Sequence, residues 1–342
     1  VTPVEIDGSM GEGGGQVLRS ALTLSLLSGR SLEIRNIRRG RSRPGLRPQH
    51  LAAVQAAAAI SGARVAGDRV GSRTLAFRPG PVTAGQYHFD IGTAGAAALV
   101  LQTICLPLAL AEGPSQVSVS GGTHVPWSPC FDYLDLHWRH FLARMGISMD
   151  LELAMAGFYP EGGGLVWLRV PGGARLRPLT LVERGPLRAL RGLSAVANLD
   201  WGIAERQRRR ALRRLQQRGL TADIEQRSLP AASRGTLLLL LARFEHSQAC
   251  CFALGARGKP AERVADEAVD SLFDILDRPG AVDPWLADQL LLPLAWAAGP
   301  AALTTTGISA HLLTNAQVIR RFVDRPIEVR GEPGGPGQVT LA

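Results

Sequence analysis

One segment of this chain occurs twice. Leu106-Pro107-Leu108-Ala109-Leu110-Ala111-Glu112-Gly113-Pro114 returns as Leu292-Pro293-Leu294-Ala295-Trp296-Ala297-Ala298-Gly299-Pro300, an offset of 293 minus 107, or 186 residues. A repeat constrains the fold more than local propensity does, because each copy is a supersecondary unit that buries its apolar face against its neighbours. Each copy ends its helix-like run at Gly-Pro and continues with a strand-like run (Gln116 to Ser120; Ala302 to Thr306), a glycine-containing loop and a second helix. This alignment sets Gln102 opposite Asp288 and, with one residue of slippage, His124 opposite His311. A weaker echo relates Gly8–Gly15 to Gly157–Gly164. The fold class expected is α/β (α+β): a main domain of repeated sheet-and-helix units, βαβαββ-like, whose loops converge where matching strands end. Gln102, Asp288, His124 and His311 are then expected around one cleft.

Between the copies the composition changes. Residues 183–279 read as a smaller inserted α/β domain, with strands at Leu187 to Leu193 and Thr236 to Phe244 and helices over Gly202 to Gln217 and Ala261 to Leu276. The main domain is then 1–182 plus 280–342. The helix over Gly202 to Gln217 carries Arg206, Arg208, Arg209, Arg210, Arg213 and Arg214, placed right round the cylinder, which predicts a solvated helix. Ala94 to Ala111 is strongly apolar but interrupted by Gln102, Thr103 and Pro107, so a buried helix and no membrane span are expected.

Three stretches carry chemistry. At Gly307-Ile308-Ser309-Ala310-His311 a strand gives way to a helix with Ser309 as its N-cap. A histidine there feels the positive end of the helix dipole, which predicts a neutral, nucleophilic ring beside N–H groups able to hold phosphate. The loop Gly8 to Gly15 has five glycines in eight residues around Glu12 and leads into a helix bearing Arg19; such a backbone admits close approach of a ligand or another segment. From 38 to 47, five arginines in ten residues broken by Gly and Pro form a basic loop, with Gln49 and His50 opening the next helix. Arg38 and Arg41 in this loop, with Gln49 and His50, are candidates for phosphate contact, for which guanidinium forks suit.

Composition narrows the chemistry. The formal net charge of +9 is compatible with a polyanionic partner, and nearly all the positive charge is arginine, Lys259 being the only lysine. Lys259 stands in Gly258-Lys259-Pro260, which excludes a phosphate loop ending in Gly-Lys-Ser/Thr and a Lys-x-Asp-Gly nucleophile motif. A covalent nucleotide adduct through nitrogen would therefore fall to histidine. Cys105, Cys130, Cys250 and Cys251 lack paired C-x-x-C spacing, so a reduced, cytoplasmic setting is expected, and Val1 to Gly8 does not read as a signal peptide.

Several separated motifs resemble the RNA 3'-terminal phosphate cyclase family. They are Asp7-Gly8 with Gly11-Glu12-Gly13-Gly14-Gly15-Gln16-Val17-Leu18-Arg19, the Arg41-Ser42-Arg43-Pro44-Gly45-Leu46 loop with Gln49-His50, and Gly92-Thr93-Ala94-Gly95 through Leu101-Gln102-Thr103. Gly121-Gly122-Thr123-His124, Phe158-Tyr159-Pro160-Glu161-Gly162-Gly163-Gly164, Leu286-Ala287-Asp288-Gln289 and His311-Leu312-Leu313-Thr314-Asn315 follow in order. The resemblance implies a ligase-type enzyme that uses ATP and a divalent metal (Mg or Mn) to convert an RNA 3'-phosphate to a 2',3'-cyclic phosphate. It implies that His311 forms an enzyme–AMP phosphoramidate, from which AMP passes to the RNA end. It places Gln102 and the segment Trp285-Leu286-Ala287-Asp288-Gln289 at ATP, with Trp285 departing from the family's usual Tyr or His. Glu12, Arg19, Arg38, Gln49 and His50 match phosphate, metal or RNA-end positions, Glu12 being the metal candidate. The implied fold is repeated α/β units with an insert like the C-terminal half of a translation initiation factor.

RNA and ATP are thus the expected partners, with no membrane, and a homodimer is compatible with the sequence. The alternative is the cyclase-like ribosome-biogenesis protein, a non-catalytic binder that lacks the nucleophilic histidine; the intact His311-Leu312-Leu313-Thr314-Asn315 argues against it. Enolpyruvyl transferases of similar architecture need lysines that this chain lacks.

Overall fold

The computed structural model describes residues 2–342. Its first unit runs β1 (Val4–Asp7), α1 (Gly15–Ser28), β2 (Leu32–Arg35), α2 (Pro48–Ser61), β3 (Arg64–Ala66) and β4 (Leu75–Arg78). The second runs β5 (Gln86–Asp90), α3 (Ala97–Leu110) and β6 (Ser115–Gly121), then a second helix and the hairpin β7 (Asp150–Met155) and β8 (Gly164–Val170). That helix is built from α4 (Phe131–Tyr133), a π-helical stretch (Leu134–Trp138) and α5 (Arg139–Arg144). The third unit starts with β9 (Thr180–Leu181), breaks off for the insert, and resumes with α8 (Pro284–Trp296), β14 (Ala301–Thr305), α9 (Ala310–Ile319), β15 (Ile327–Gly331) and β16 (Gly337–Leu341).

All three units are βαβαββ, and their sheets share one strand order: β1-β2-β4-β3, β5-β6-β8-β7 and β9-β14-β16-β15. In each, the first two strands are parallel, as in Val4↔Leu32, Gln86↔Gln116 and Thr180↔Ala302, and a helix has to span the crossover. The α/β expectation holds, with three copies where the visible repeat showed two. The first copy escapes notice because α1 carries no Pro-Leu-Ala run.

The local signals are ordinary. Gly29 and Gly62 end α1 and α2 in the left-handed conformation, with φ of 67° and 58°. Pro48 and Pro284 stand in the first turns of α2 and α8, where a missing N–H costs little. Helix α3 is the apolar run foreseen as buried, and the interior prolines Pro107 and Pro293 stand at matching places in α3 and α8. The Gly8–Gly15 echo is different. Gly8–Gly15 joins β1 to α1, whereas Gly157–Gly164 turns the β7–β8 hairpin, so the two are not equivalent places in a unit.

The insert comprises β10 (Leu187–Ala197), α6 (Trp201–Gln217), β11 (Asp223–Ser228), β12 (Gly235–Phe244), β13 (Gln248–Leu254) and α7 (Ala261–Asp277). Its sheet, ordered β11-β10-β12-β13, is covered on both faces. Leu238, Leu240 and Ala242 pack toward α6 and α7, while Leu237, Leu239 and Leu241 join the large core of the main body. That double burial explains the unbroken leucine run of β12, which shows no polar alternation. The arginines of α6 differ from expectation. Arg206 pairs with Glu262, Arg210 and Arg214 with Asp266, Arg214 with Asp270, and Arg218 with Asp277, so one side of the helix is stitched to α7 rather than left to solvent. Among the described residues, no helix is long and apolar enough to cross a membrane.

Candidate active site

The first helices of the three units, α1, α3 and α8, border a cleft of about 560 Å³, closed on its remaining sides by α9, the α4–α5 segment and β13 of the insert. That volume suits a small-molecule site, for which roughly 300–1,000 Å³ is usual. Arg19, Gln102, Asp288, Gln289 and Trp285 line it together with His311. The repeat-related pair Gln102 and Asp288 therefore lines one cleft, and Gln102 Nε2 donates to Gln289 Oε1 at 2.8 Å.

His124 does not join them. It is buried, its Nδ1 within 2.7 Å of the Thr123 hydroxyl and its Nε2 within 2.9 Å of Asp132 Oδ2, and its ring stacks on Phe158. Topologically it occupies the same place as His311, after the second strand of its unit, but the following loop folds it inward. His124, Cys130 and Asp132 are also the one trio of metal-type donors grouped among the described residues; hydrogen bonds already occupy both imidazole nitrogens. Leu286 and Ala287, expected at ATP, are fully buried in the core behind the cleft, because the turn of α8 that presents Trp285, Asp288 and Gln289 points the intervening pair away.

His311 lies in the first turn of α9, whose N-cap Ser309 accepts from Leu312 N–H at 3.0 Å. Its Nδ1 faces two acceptors, hydrogen-bonding Gln16 Oε1 and lying 3.2 Å from Glu12 Oε1. A carboxylate oxygen only accepts, so the ring proton sits on Nδ1 and the neutral ring keeps its lone pair on Nε2. Glu12 Oε1 is otherwise a buried oxygen without an aligned hydrogen bond. Glu12 Oε2 accepts from Arg41 at 2.6 Å, and Glu12 N–H donates to Thr314 Oγ1 at 3.1 Å, which pins the glycine loop onto α9. Gly11 has φ of +57°, and a Cβ there would meet Thr314 Oγ1 at 2.2 Å, so only glycine permits this docking.

The electrostatics reverse one expectation. Glu12 raises the His311 pKa, burial lowers it, and Asp288 raises it further, so the ring ends above its ordinary value despite the helix dipole. Burial pushes Glu12 up, but His311, Arg41 and Arg19 outweigh it and hold the carboxyl below its usual range. Burial lifts Asp288 to about 7, against the pull of His311 and Arg19. Burial likewise brings Arg19 down to about 10, opposed by Glu12 and Asp288.

Beside this cluster is an open helix end. Gly14 caps α1 with no side-chain hydrogen bond, and a Cβ on Gly15 would strike His50 Nε2 at 2.3 Å and Arg19 Nη1 at 2.8 Å. His50 and Arg19 thus pack directly on the start of α1, where its first N–H groups have no side-chain cap. His50 Nδ1 accepts from Arg47 N–H at 3.1 Å, leaving Nε2–H to donate; burial, then Arg19, Arg38 and Arg47, hold its pKa well below the usual value. Gln49 Oε1 takes the N–H of Ala96, tying α2 to the start of α3. Arg38 is turned onto its own loop, Nη1 donating to Arg43 O and Gly45 O, so it shapes the basic loop while Arg41 reaches the site.

Among the described residues around His311, no set of side chains forms a cage for a divalent ion. Glu12 is the carboxylate facing His311, and one of its oxygens is taken by Arg41. Sequence reasoning left Gln16 and Thr314 without roles, although both stand inside quoted motifs, and it missed the cleft wall of Trp127, Pro129, Tyr133 and Phe252. Trp127, 98% exposed at the mouth, gave no signal beyond following the His124 motif closely.

Comparison with known proteins gives the family. Residues 10–329 match the family model described as RNA 3'-terminal phosphate cyclase. A protein of that name from Methylococcus capsulatus is 47% identical over 349 residues, spanning 100% of this chain and 97% of the relative. One from Ralstonia nicotianae is 47% identical over 96% of this chain and 94% of its own length. One from Methanopyrus kandleri is 41% identical over 99% and 98%.

Proposed function

The chain belongs to the RNA 3'-terminal phosphate cyclase family, and on that premise we propose that it converts an RNA 3'-terminal phosphate into a 2',3'-cyclic phosphate with ATP through a histidine–AMP intermediate. His311 Nε2 attacks the α-phosphorus of ATP, and pyrophosphate leaves. An oxygen of the RNA 3'-phosphate then attacks the same phosphorus and expels His311, giving RNA-(3')pp(5')A. The neighbouring 2'-hydroxyl attacks the 3'-phosphorus, loses its proton and displaces AMP.

What supports the reading above all is the hold on His311. With Glu12 and Gln16 on Nδ1, the free Nε2 lone pair is the one that can attack. Gln102, Trp285, Asp288 and Gln289 would take the nucleoside, and Arg19 with the open end of α1 would take phosphate charge. Arg41, Gln49 and His50 would receive the RNA end, with Arg38 supporting their loop.

Incubation with α-labelled ATP and magnesium, then denaturing electrophoresis, tests it. Label should remain on the protein, be released by acid and survive alkali. His311→Ala should bind ATP and take no label. Label persisting in that variant, or mapping to another residue, sinks the assignment; no label on the unmodified chain favours the non-catalytic alternative.

A further inference from the structure

Behind the cleft, a buried polar chain links the insert to the helix that carries Trp285, Asp288 and Gln289. Its centre is Asp283, the N-cap of α8, whose side chain and that of its partner His137 are both fully buried. Asp283 Oδ1 accepts from Leu286 N–H at 2.9 Å and from the Tyr133 hydroxyl at 3.3 Å. Oδ2 accepts from His137 Nε2 at 2.6 Å and from Cys250 N–H, in β13, at 3.4 Å. Gln248, also in β13, donates from Nε2 to Leu136 O at 2.8 Å and lies with the same atom 3.1 Å from His137 Nδ1. The bond to Leu136 O fixes the amide, so an N–H faces Nδ1 and the imidazole proton lies on Nε2, toward Asp283.

The relay continues past α8. Asp288 O accepts from Asn315 Nδ2 at 2.9 Å, and Asn315 is one turn after His311 in α9. Three separated segments are thereby locked together: β13 of the insert, the π-helical turn bearing His137, and the start of α8. The π turn directs His137 inward while Leu136 beside it is exposed; such turns recur at functional sites. A helix cap needs only one side-chain oxygen. The second oxygen, the imidazole and Gln248 add buried polar groups that are tolerated only when every partner is present, and what they add is a defined geometry.

We propose that Asp283 is a positioning residue for nucleotide transfer, and that the insert, through Gln248 and His137, sets the placement of the helix from which Trp285, Asp288 and Gln289 enter the cleft. This rests on the ATP reading given above. The insert is then part of the nucleotide site in a mechanical sense, beyond the wall that Cys251 and Phe252 of β13 already supply.

Two variants of the full chain test it. Asp283→Asn can still accept from Leu286 N–H but no longer offers a second oxygen to His137 Nε2–H. Gln248→Leu leaves Asp283 untouched and cuts the chain at its far end. Both should fold. KM for ATP in adduct formation should rise about tenfold in Asp283→Asn, the scale of a sub-ångström misplacement of binding groups, and in the same direction but less in Gln248→Leu. A lowered Tm with unchanged KM for ATP in both variants overturns the proposal, because stability alone would then be their role. If Asp283→Asn does not fold, Gln248→Leu decides by itself. Equilibrium ATP binding is measured in parallel: an unmodified chain that binds ATP without forming the adduct refutes the proposed reaction, while a weakened ATP affinity in the variants still supports the positioning role.

Discussion

Replacing Glu12 by glutamine should move the pH dependence of enzyme–AMP formation, and the structure gives the sign. His311 attacks only when neutral, so the rate climbs as pH rises through the pKa of His311. Glu12 is the largest influence holding that pKa above its ordinary value. Removing its charge lowers the pKa, enlarges the neutral fraction at acidic pH and shifts the acid limb downward. The separation of 3.2 Å corresponds to about 1.3 kcal/mol at the dielectric constant of water, and to several times that at an effective value near 20. The His311 side chain is 48% exposed, so solvent screening makes the lower figure the appropriate guide. Glutamine keeps one oxygen toward Nδ1–H and gives up the bond from Arg41, and Gln16 still accepts from Nδ1–H, so the tautomer should persist and the plateau rate should fall less than in His311→Ala. Single-turnover labelling from α-labelled ATP between pH 5 and 9 would read the shift. An acid limb that stays in place or moves upward would refute the electrostatic coupling of Glu12 to His311.

The other substitutions probe separate contacts. Gln102→Ala and Asp288→Ala should each weaken labelling by ATP while the thermal transition persists; loss of that transition in both would make the pair structural. Thr314→Val keeps the side-chain shape but removes the hydroxyl that accepts from Glu12 N–H, so the glycine loop should loosen and labelling should slow, and an unchanged rate would show that the loop needs no such pin. Arg41→Ala should reduce the preference for a 3'-phosphorylated oligonucleotide over a 3'-hydroxyl one, measured by binding, and slow AMP transfer to RNA more than labelling by ATP. Equal loss of both steps would relocate Arg41 to the triphosphate.

Local and periodic features of the chain were enough for much of this protein. The Leu-Pro-Leu-Ala repeat announced repeated α/β units and set Gln102 against Asp288, because equivalent positions of equivalent helices face the same axis. Ser309 as a cap and His311 in the first turn beyond it follow from the residues themselves. So does the exclusion of lysine chemistry, since a single lysine in a Gly-Lys-Pro turn serves no nucleotide motif. Tertiary structure decided everything that depends on groups distant in sequence. The helix end alone argued for a ring of lowered pKa, but Glu12, 3.2 Å away, and Asp288 arrive from other segments and raise it above its ordinary value. His124 matched His311 in the repeat, yet the chain after it buries it against Asp132 and Phe158. The arginines of α6 looked solvated until α7 supplied acids along one side. Asp283, the residue before Pro284, drew no reading from the sequence, and only the fold brings His137 to it and Gln248 to His137. Periodicity reports which face of an element is buried; which charges meet across that face is settled by packing, at distances of a few ångströms that sequence spacing does not encode.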